Sequence, residues 1–443
     1  MTKVSVVKYG GTSINSEEKL DAAYQTVSTE IGQRYKTIAV ISAFRGVTDL
    51  LYNMTLTPAY DDRFISQWSS LHGTCTRHLS EEVKDEFLDR LREKVEFIKA
   101  SPSTSWIVDD LLAEGESYSS QIFASFLTSK KMKAKVKNFD EPLYPVVSYG
   151  EFGNARIDLE RTRKYCERSI LRDLEMVDCV VMPGIGGVSH RDGRTRVRRG
   201  ASDYVATSLG YGVHADRLWI LSDVHGIQAA DSRIIKEAPI LPHLTVDELL
   251  DAGALGAKNT NTVFFLPLTK YCPKETYFAK YDDLAGGKTR IVEKAAEEGP
   301  PVKLVAGREV ILYIAEGYDI ESQVMALEQK LAQKYDFIRG GGFKKERFFA
   351  FFDLNQEPRI NKEVAAFRDG MTVTSGRKAI VGVVGEGMKH TKRVIERLGR
   401  ALGDVNITYV LDISKISAGV VIERKDMEEA IERLYAAFIK EGG

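Results

Sequence analysis

Short, continuously apolar runs alternate with longer amphipathic stretches through the first two-thirds of the chain. Such runs are typical of strands buried in a parallel sheet, whereas apolar residues spaced three and four apart indicate helices. The pattern predicts strands at Val4–Val7, Thr37–Ser42, Cys179–Met182 and Leu218–Leu221, and helices up to about Ile31, over Phe87–Ile98 and over Ile107–Leu127. This alternation predicts an α/β domain with a mainly parallel central sheet sandwiched by helices.

The last third of the chain repeats a strand, loop and helix pattern, once from Ile311 and once from Ile380. A further strand and helix follow each copy, at 347–354 with 362–368 and at 419–422 with 427–438. This order predicts two ferredoxin-like βαββαβ modules after a first domain, with boundaries at 1–295, 305–370 and 375–443 and a charged linker over Glu293–Pro301. A single irregular α+β domain is the alternative.

The first predicted strand runs directly into a loop with two adjacent glycines. These glycines let the backbone turn tightly, so that N–H groups and the start of the next helix can face an anion. Asn15 as cap and Glu18 three residues later predict where that helix begins. We therefore predict a phosphate-binding loop, although an ordinary turn also fits a glycine pair after a strand. Its residues are Lys8, Gly10, Gly11, Thr12 and Ser13.

Two other predicted strands end in glycine-containing loops. Ser42 and Thr48 lie in the loop after the second strand and are candidates for binding a small polar substrate. Gly184 and Gly186 follow the strand at Cys179–Met182 and would bring bare backbone close to a ligand. Because ligands bind at the carboxyl ends of strands in open α/β sheets, we expect these loops to converge on one crevice.

The motif Arg199-Gly200-Ala201-Ser202-Asp203-Tyr204 opens another predicted helix. Ser202 and Asp203 either cap this helix or act on a ligand, with Asp203 orienting Lys8 or a magnesium ion. The planar guanidinium of Arg199 is suited to holding a carboxylate with two hydrogen bonds.

Polar residues also follow the strand at Leu218–Leu221. Ser222, Asp223 and Arg233 suit the ribose and phosphates of a nucleotide. Thr245 and Glu248 form a capping box that begins a further predicted helix. Lys258 comes just after the end of this helix and is either a partner of the helix dipole or a phosphate ligand. Cations, backbone donors, magnesium and a clamp on the acceptor are what phosphoryl transfer to a small acid requires.

Composition excludes some classes of partner. The chain has 443 residues, of which 43% are hydrophobic and 28% charged, and its formal net charge is -1. These values are those of a globular protein and predict no nucleic-acid and no membrane partner. The four cysteines have no metal-ligand spacing, which with the absence of an apolar signal region at the amino terminus predicts a cytoplasmic protein.

Taken in order, these motifs resemble those of aspartate kinases. Glu114-Gly115-Glu116, Ser222-Asp223-Val224-His225-Gly226 and Gly256-Ala257-Lys258 extend the resemblance beyond the loops above. It implies the amino acid kinase fold followed by two ACT-type modules. It also implies transfer of the γ-phosphoryl of ATP, with Mg²⁺, to the side-chain carboxylate of L-aspartate, the first step of lysine, threonine and methionine biosynthesis.

The resemblance implies a role for each matching residue. Lys8 and Asp203 would be catalytic, and no residue is implied as a protein metal ligand. The substrate would contact Ser42, Thr48, Glu116, Arg199 and Ser202, although a glutamate in a helix is usually a solvated surface residue. ATP would contact Lys8, Gly10, Gly11, Thr12, Ser13, Ser222, Asp223, Arg233 and Lys258. A homodimer or higher homo-oligomer through the ACT modules and a lysine or threonine effector are implied as well.

Some positions depart from the family pattern. Ala201 replaces a usual glycine, Gln228 an aromatic residue and Ser232 a proline, and 259–264 differs from the usual sequence after Lys258. Two alternatives therefore stay open. One is a related amino acid kinase with another acid acceptor, and the other is a non-catalytic kinase-fold subunit that senses an amino acid.

Overall fold

The computed structural model describes residues 2–102, 104–258, 260–294, 300–316, 327, 331, 337–340, 347–353, 357–365 and 372–441. The chain divides into two compact units. The first unit is Met1–Gly226 with Phe264–Val292, and the second is Ile227–Val263 with Glu293–Gly443. The segment 227–263 thus groups with the last third of the chain, and the domain boundaries given above stay a prediction. Most of the predicted linker, 295–299, lies outside the described residues, as do Leu354 and 366–368.

The described elements follow one another along the chain with these bounds. The strands are β1 (Lys3–Tyr9), β2 (Tyr35–Ile41), β3 (Ala134–Val136), β4 (Val147–Tyr149), β5 (Arg156–Ile157), β6 (Cys179–Pro183), β7 (Gly186–Ser189), β8 (Thr195–Val197), β9 (Arg217–Ser222), β10 (His243–Thr245), β11 (Glu275–Lys280), β12 (Thr289–Val292), β13 (Leu304–Glu316), β14 (Phe337–Gly340), β15 (Arg347–Asp353), β16 (Thr372–Val384), β17 (Ile407–Ser414) and β18 (Ser417–Glu423). The helices are α1 (Glu17–Gly32), α2 (Val47–Leu56), α3 (Asp62–His72), α4 (Glu81–Ala100), α5 (Ser105–Ser129), α6 (Leu159–Arg168), α7 (Ile170–Met176), α8 (Ser202–Gly212), α9 (Val246–Leu255), α10 (Thr262–Phe265), α11 (Glu357–Ala365), α12 (Val394–Leu402) and α13 (Met427–Tyr435).

The main sheet of the first unit is mostly parallel, as predicted. Its strands lie in the order β12-β11-β9-β1-β2-β6-β3. The pairs β11–β9, β9–β1, β1–β2, β2–β6 and β6–β3 are parallel, and β12 is antiparallel to β11. The central strands are buried almost throughout, which is why they read as continuous apolar runs.

Helix α1 begins one residue later than its predicted cap implies. Ser16 is the cap, and its Oγ accepts a hydrogen bond from the Lys19 N–H at 3.4 Å. The predicted cap, Asn15, is wrong, because its Oδ1 instead accepts from Lys19 Nζ at 2.8 Å. Across the described residues, no helix combines the length and the apolar character needed to cross a membrane.

An aromatic cluster supports the loop after β2. Phe44, in that loop, lies 5.3 Å from the His72 ring, centroid to centroid, and His72 lies 4.4 Å from Trp68 and 4.7 Å from Tyr118. Burial lowers the pKa of His72 to about 4, so this ring is neutral at physiological pH. The loop therefore rests on a packed apolar surface built by α3 and α5.

A small second sheet in the first unit has the order β5-β4-β7-β8. Strands β7 and β8 form an antiparallel pair in which Gly186 lies opposite Val197. A Cβ atom on Gly186 would lie 2.1 Å from the Arg196 carbonyl oxygen, so this close approach requires glycine. The pair ends two residues before Arg199.

The second unit contains one antiparallel sheet with the order β14-β15-β13-β16-β18-β17. Strands β13 and β16 are 13 residues long and pair along their whole length. Residues 310–316 of β13 pair with β15, and residues 378–384 of β16 pair with β18. Each long strand thus runs through both halves of the sheet. The half with β14 and β15 takes its strands from one stretch of sequence, whereas the half with β17 and β18 also uses the start of β13.

Helix α9 is tied to this sheet by a buried ion pair. Glu248 Oε2 lies 2.8 Å from Lys303 Nζ, and both side chains are buried. The same carboxylate accepts hydrogen bonds from the N–H groups of Thr245 and Glu386, each at 2.8 Å. The predicted capping box of Thr245 and Glu248 is confirmed, and the helix ends at Gly256, whose φ is +93°.

We expect Glu248→Ala to lower the free energy of unfolding of the second unit by about 3–5 kcal/mol, because it leaves the buried Lys303 ammonium without its counter-charge. Urea unfolding followed by far-ultraviolet circular dichroism would measure the change. Tryptophan fluorescence reports the first unit separately, since Trp68, Trp106 and Trp219 all lie there.

The matched control is Glu396→Ala, which removes an exposed ion pair with Arg400 in the same unit. This variant should change the free energy of unfolding by less than about 1 kcal/mol. Equal changes in the free energy of unfolding for the two substitutions would contradict a larger contribution from the buried Glu248–Lys303 pair.

Candidate active site

The register of the main sheet aligns the carboxyl ends of four strands. Tyr9 at the end of β1 lies opposite Ile41 of β2 and Leu221 of β9, and Ile41 lies opposite Pro183 of β6. The loops after these strands therefore begin at the same edge of the sheet. The predicted convergence of the glycine loops is what this register produces.

The glycine loop after β1 packs tightly against the loop after β2. A Cβ atom on Gly11 would lie 2.2 Å from the Ala43 carbonyl oxygen, so no other residue fits without a backbone shift. Ser13 N–H donates to the Gly10 carbonyl at 2.8 Å, and Lys19 Nζ donates to the Thr12 carbonyl at 2.6 Å. These bonds hold the loop in a folded conformation at the start of α1.

Lys8 and Asp203 form an ion pair at this edge. Lys8 Nζ lies 2.7 Å from Asp203 Oδ1, and their side chains are 10% and 16% exposed. Lys8 is on β1, next to the glycine loop, and Asp203 is in the first turn of α8. The pair therefore places a cation, held in position by a carboxylate, beside the loop predicted to bind phosphate.

Glu116 is buried in α5 and joins two of the loops. Its Oε2 accepts a hydrogen bond from Gly184 N–H at 2.6 Å, and it also accepts from Ala43 N–H. Burial raises the pKa of Glu116 to about 8, against the lowering effects of these two bonds and of the Lys8 charge. The usual interpretation of a helical glutamate as a solvated surface residue is thus wrong here.

Glu114, two residues earlier in the same motif, contacts different partners. Its carboxylate lies 2.6 Å from Lys94 Nζ and 3.1 Å from Arg90 Nη2, both on α4. It therefore ties α5 to α4, whereas Glu116 contacts the loops at the sheet edge.

Gly184 and Ser202 lie in contact where the loop after β6 meets α8. A Cβ atom on Gly184 would lie 2.8 Å from Ser202 Cβ. Because Ser202 is buried at the amino end of α8, a side chain at position 184 would push this helix away. Glycine here is what allows Asp203 to approach Lys8.

Arg199 contacts α2. Its guanidinium forms an ion pair with the Asp49 carboxylate and lies 5.2 Å from the centroid of the Tyr52 ring. The Arg199 side chain remains 49% exposed. Ser42 and Thr48, the other candidates on this side, are half-buried in the loop after β2 and at the start of α2.

The polar residues after β9 lie on the other side of β1. Ser222 Oγ accepts from Val224 N–H at 3.3 Å in a local turn, and Asp223 is exposed. Lys8 therefore lies between two groups of candidate ligand-binding residues. Ser42, Glu116 and the start of α8 are on the side of β2 and β6, and Ser222 and Asp223 are on the side of β9.

Two predicted nucleotide ligands, Arg233 and Lys258, lie in the second unit. Arg233 Nε donates to Asp231 Oδ2 at 3.0 Å. This hydrogen bond, more than the nearby charge of Lys258, holds the pKa of Asp231 below its usual range. The structure thus gathers both cations around one carboxylate. Asn259, the next residue, lies outside the described residues.

The segment that departs from the family pattern ends in Phe264, which packs on α8. The Phe264 carbonyl accepts from Thr207 Oγ1 at 2.6 Å, and its ring lies 6.1 Å from Tyr204 with an interplanar angle of 16°. The altered sequence therefore supports the helix that carries Asp203.

Within the described ranges, no group of three or more His, Cys, Asp or Glu side chains could hold a metal ion. Magnesium commonly binds through one or two carboxylates together with substrate phosphates and water. Asp203, which pairs with Lys8 beside the glycine loop, is a carboxylate of that kind. The residues present fit a magnesium ion that arrives with a nucleotide.

Sequence reasoning missed several residues that shape this site. Asp49 and Tyr52 contact Arg199, Ser119 Oγ accepts from Phe44 N–H at 3.2 Å, and Asp109 bonds to the strand before Arg199. Asp49, Ser119 and Asp109 each lie between about 75 and 150 residues along the chain from the partner named here. No local sequence pattern could therefore have paired them. Asp231 lies only two residues before Arg233, so the sequence could have indicated it as the partner of this arginine.

A parallel sheet edge with a glycine loop and a paired lysine and aspartate defines an α/β protein built to bind phosphate groups. The model of the "Amino acid kinase family" matches residues 3–270, and an "ACT domain" model matches residues 381–438. The chain therefore belongs to the amino acid kinase family and carries an ACT domain in its last third.

Proteins similar to this chain along its length are named aspartokinases. Aspartokinase of Geobacillus stearothermophilus is 25% identical over 98% of this chain and 97% of its own length, and aspartokinase 2 of Bacillus subtilis has the same identity and coverage. Escherichia coli aspartokinase III, solved with aspartate and ADP, matches the fold with a TM-score of 0.86 at 18% identity, over 98% of this chain and 99% of that one. Its structure with lysine and aspartate matches with a TM-score of 0.73.

We expect Glu116→Gln to stabilise the first unit at alkaline pH. Because burial raises the pKa of Glu116 from its ordinary 4.5 to about 8, the folded state keeps a proton that the unfolded chain loses, and stability falls as pH rises through this range. Glutamine retains one oxygen that can accept an N–H bond, and its side chain does not titrate. The variant should gain roughly 1.4 kcal/mol over the wild type for each pH unit between 5 and 8.

Urea unfolding followed by tryptophan fluorescence at pH 5, 6.5 and 8 would measure this difference. Other titrating groups cancel when the variant is compared with the wild type at each pH. A difference that stays constant across the three pH values would rule out a titrating Glu116.

Proposed function

We propose that the protein is an aspartate kinase that transfers the γ-phosphoryl group of ATP to the side-chain carboxylate of L-aspartate. The observation that carries this proposal is the Lys8–Asp203 pair, which lies beside the glycine loop and between two groups of polar residues. A phosphoryl group in transfer needs a cation between its donor and its acceptor. The aspartokinase relatives that match the whole length of the chain supply the identity of the acceptor.

The donor side is the glycine loop and the residues after β9. Backbone N–H groups of Gly10, Gly11 and Thr12 and the start of α1 would receive the phosphates of ATP, as helix termini commonly do. Ser222 and Asp223 would contact the rest of the nucleotide. That Arg233 and Lys258 are nucleotide ligands stays a prediction from the family resemblance.

The acceptor side has one charged group for each of the two α charges of aspartate. The Glu116 carboxylate would bind the α-ammonium group, and this cation would favour the ionised form of Glu116. The Arg199 guanidinium would bind the α-carboxylate in exchange for Asp49. Ser42, Thr48 and Ser202 would complete this side by hydrogen bonds from their hydroxyl groups.

The chemistry needs little more than positioning. The β-carboxylate of aspartate is already ionised at neutral pH, so its oxygen attacks the γ-phosphorus without a general base while the bond to the departing ADP oxygen breaks. Lys8 neutralises charge on the phosphoryl oxygens, and Asp203 holds Lys8 in place. Magnesium bound to the nucleotide would supply further charge neutralisation, and the Asp203 carboxylate is suited to contact this ion.

Regulation and assembly are proposed from the last third of the chain. The ACT match and the two halves of the antiparallel sheet support binding of an amino-acid effector, lysine or threonine, and assembly into a homo-oligomer through this unit. The four cysteines are all described and buried, and none of them forms a disulfide, which fits the reducing cytoplasm.

The test is ADP release by the purified protein with ATP and Mg²⁺, comparing L-aspartate, L-glutamate and no acceptor. Hydroxylamine in the assay traps an acyl phosphate as a hydroxamate. We expect release and hydroxamate with aspartate alone. Turnover with another acid would favour a related amino acid kinase, and no turnover despite lysine or threonine binding would favour a sensor subunit.

We expect Lys8→Ala to lower kcat with aspartate about a hundredfold, because it removes a preorganised cation worth on the order of 3 kcal/mol in the transition state. Lys8→Arg should retain more activity than Lys8→Ala, since it keeps the charge but changes its position. Steady-state assays at saturating ATP and aspartate would measure both.

The matched control is Lys36→Ala, which removes an ion pair with Asp178 near the opposite end of β2. This variant should keep the wild-type kcat. Unchanged turnover in Lys8→Ala, with the fold retained by circular dichroism, would remove Lys8 from the mechanism.

A further inference from the structure

Helix α5 carries three buried carboxylates, and one of them, Asp109, lies seven residues before Glu116. Seven residues are two helical turns, so the two side chains project from the same face of the helix. Asp109 is only 1% exposed. Burying a carboxyl group in this way is costly unless it makes specific hydrogen bonds.

The bonds of Asp109 connect α5 to two other segments. Its Oδ2 accepts from Val197 N–H at 2.9 Å and from Gly153 N–H at 3.0 Å. Val197 ends β8, and Gly153 lies in the turn between β4 and β5. One carboxylate oxygen thus joins three parts of the first unit that are distant in sequence.

The chain between Val197 and α8 is short and held at several points. Val197 carbonyl accepts from Ala155 N–H at 3.1 Å, and Arg198 N–H donates to the Ile185 carbonyl at 2.8 Å. Arg199 follows directly, and Gly200, with φ at +74°, turns the chain into α8. The position of Val197 therefore determines where the Arg199 backbone lies.

We propose that Asp109 is a positioning residue for substrate binding, which holds the end of β8 so that Arg199 meets the α-carboxylate of aspartate. This inference rests on the proposed function for the identity of the substrate. Together with Glu116 it makes one face of α5 the common support of both charged contacts to aspartate, since Glu116 holds Ala43 and Gly184 by the same kind of bond.

The surroundings of Asp109 agree with a role based on accepting hydrogen bonds. Burial raises its pKa to about 7, against the N–H bonds from Val197 and Gly153. Asp110 on its own helix raises this pKa further, and Arg196 on β8 lowers it. An accepting oxygen, which asparagine also has, is what the geometry requires at this position.

The experiment compares Asp109→Ala and Asp109→Asn with the wild type in the full-length protein. We expect Asp109→Ala to raise the KM for aspartate about tenfold or more while the KM for ATP stays within about twofold, because only the acceptor side loses its support. Asp109→Asn should restore the KM for aspartate to within about threefold, since its amide oxygen can accept both bonds.

The matched control is Glu114→Ala, which removes another buried carboxylate of α5 whose partners are on α4. It should destabilise the protein without changing the KM for aspartate. Hydrogen exchange by mass spectrometry adds a readout that needs no activity. Peptides covering 190–203 should exchange faster in Asp109→Ala than in the wild type and at the wild-type rate in Glu114→Ala.

These readouts separate the two proposals. A wild-type protein with no aspartate turnover would overturn the proposed function, and the exchange of 190–203 would then still decide whether Asp109 holds this strand. An unchanged KM for aspartate in Asp109→Ala, or equal effects of Asp109→Ala and Glu114→Ala on both readouts, would overturn the positioning role.

Discussion

The contact on which the site depends is the pair of hydrogen bonds that the buried Glu116 carboxylate accepts from Ala43 and Gly184 N–H groups. These groups follow different strands, β2 and β6, and without an acceptor they would be buried polar donors. The carboxylate therefore fixes the distance between two loops at the sheet edge. Burial of this carboxylate raises its pKa, and pKa values shifted in this way are common at functional sites.

Close backbone approach is the second constraint, and it falls on particular glycines. Gly11 lies against the Ala43 carbonyl and Gly184 against Ser202, each closer than any side chain would permit. These contacts bring the glycine loop after β1, the loop after β2 and the start of α8 together. The Lys8–Asp203 pair forms at their meeting point, so an ion pair of 2.7 Å is the product of backbone packing in three loops.

The second unit is organised by strand sharing. Strands β13 and β16 run through both halves of the antiparallel sheet, so the half that contains β17 and β18 takes its part of β13 from a stretch of sequence that precedes the other half. Helix α9, from the segment that also contains Arg233 and Lys258, is bound to this sheet by Glu248 and Lys303. A disturbance of the sheet would therefore reach a segment that carries two proposed nucleotide ligands.

Sequence patterns predicted the parallel sheet, the glycine loops and the family, because apolar runs and glycine-rich turns are local patterns with a direct conformational meaning. They also predicted the helix start at Thr245 and Glu248, but they misplaced the cap of α1 by one residue. Other features became visible only in the folded chain: Glu116 is buried, Arg199 contacts Asp49, Asp109 accepts a bond from β8, and β13 and β16 run through both halves of their sheet. Each of these depends on contacts between segments far apart in the chain, and such contacts follow from how backbone groups pack and not from any spacing along the sequence.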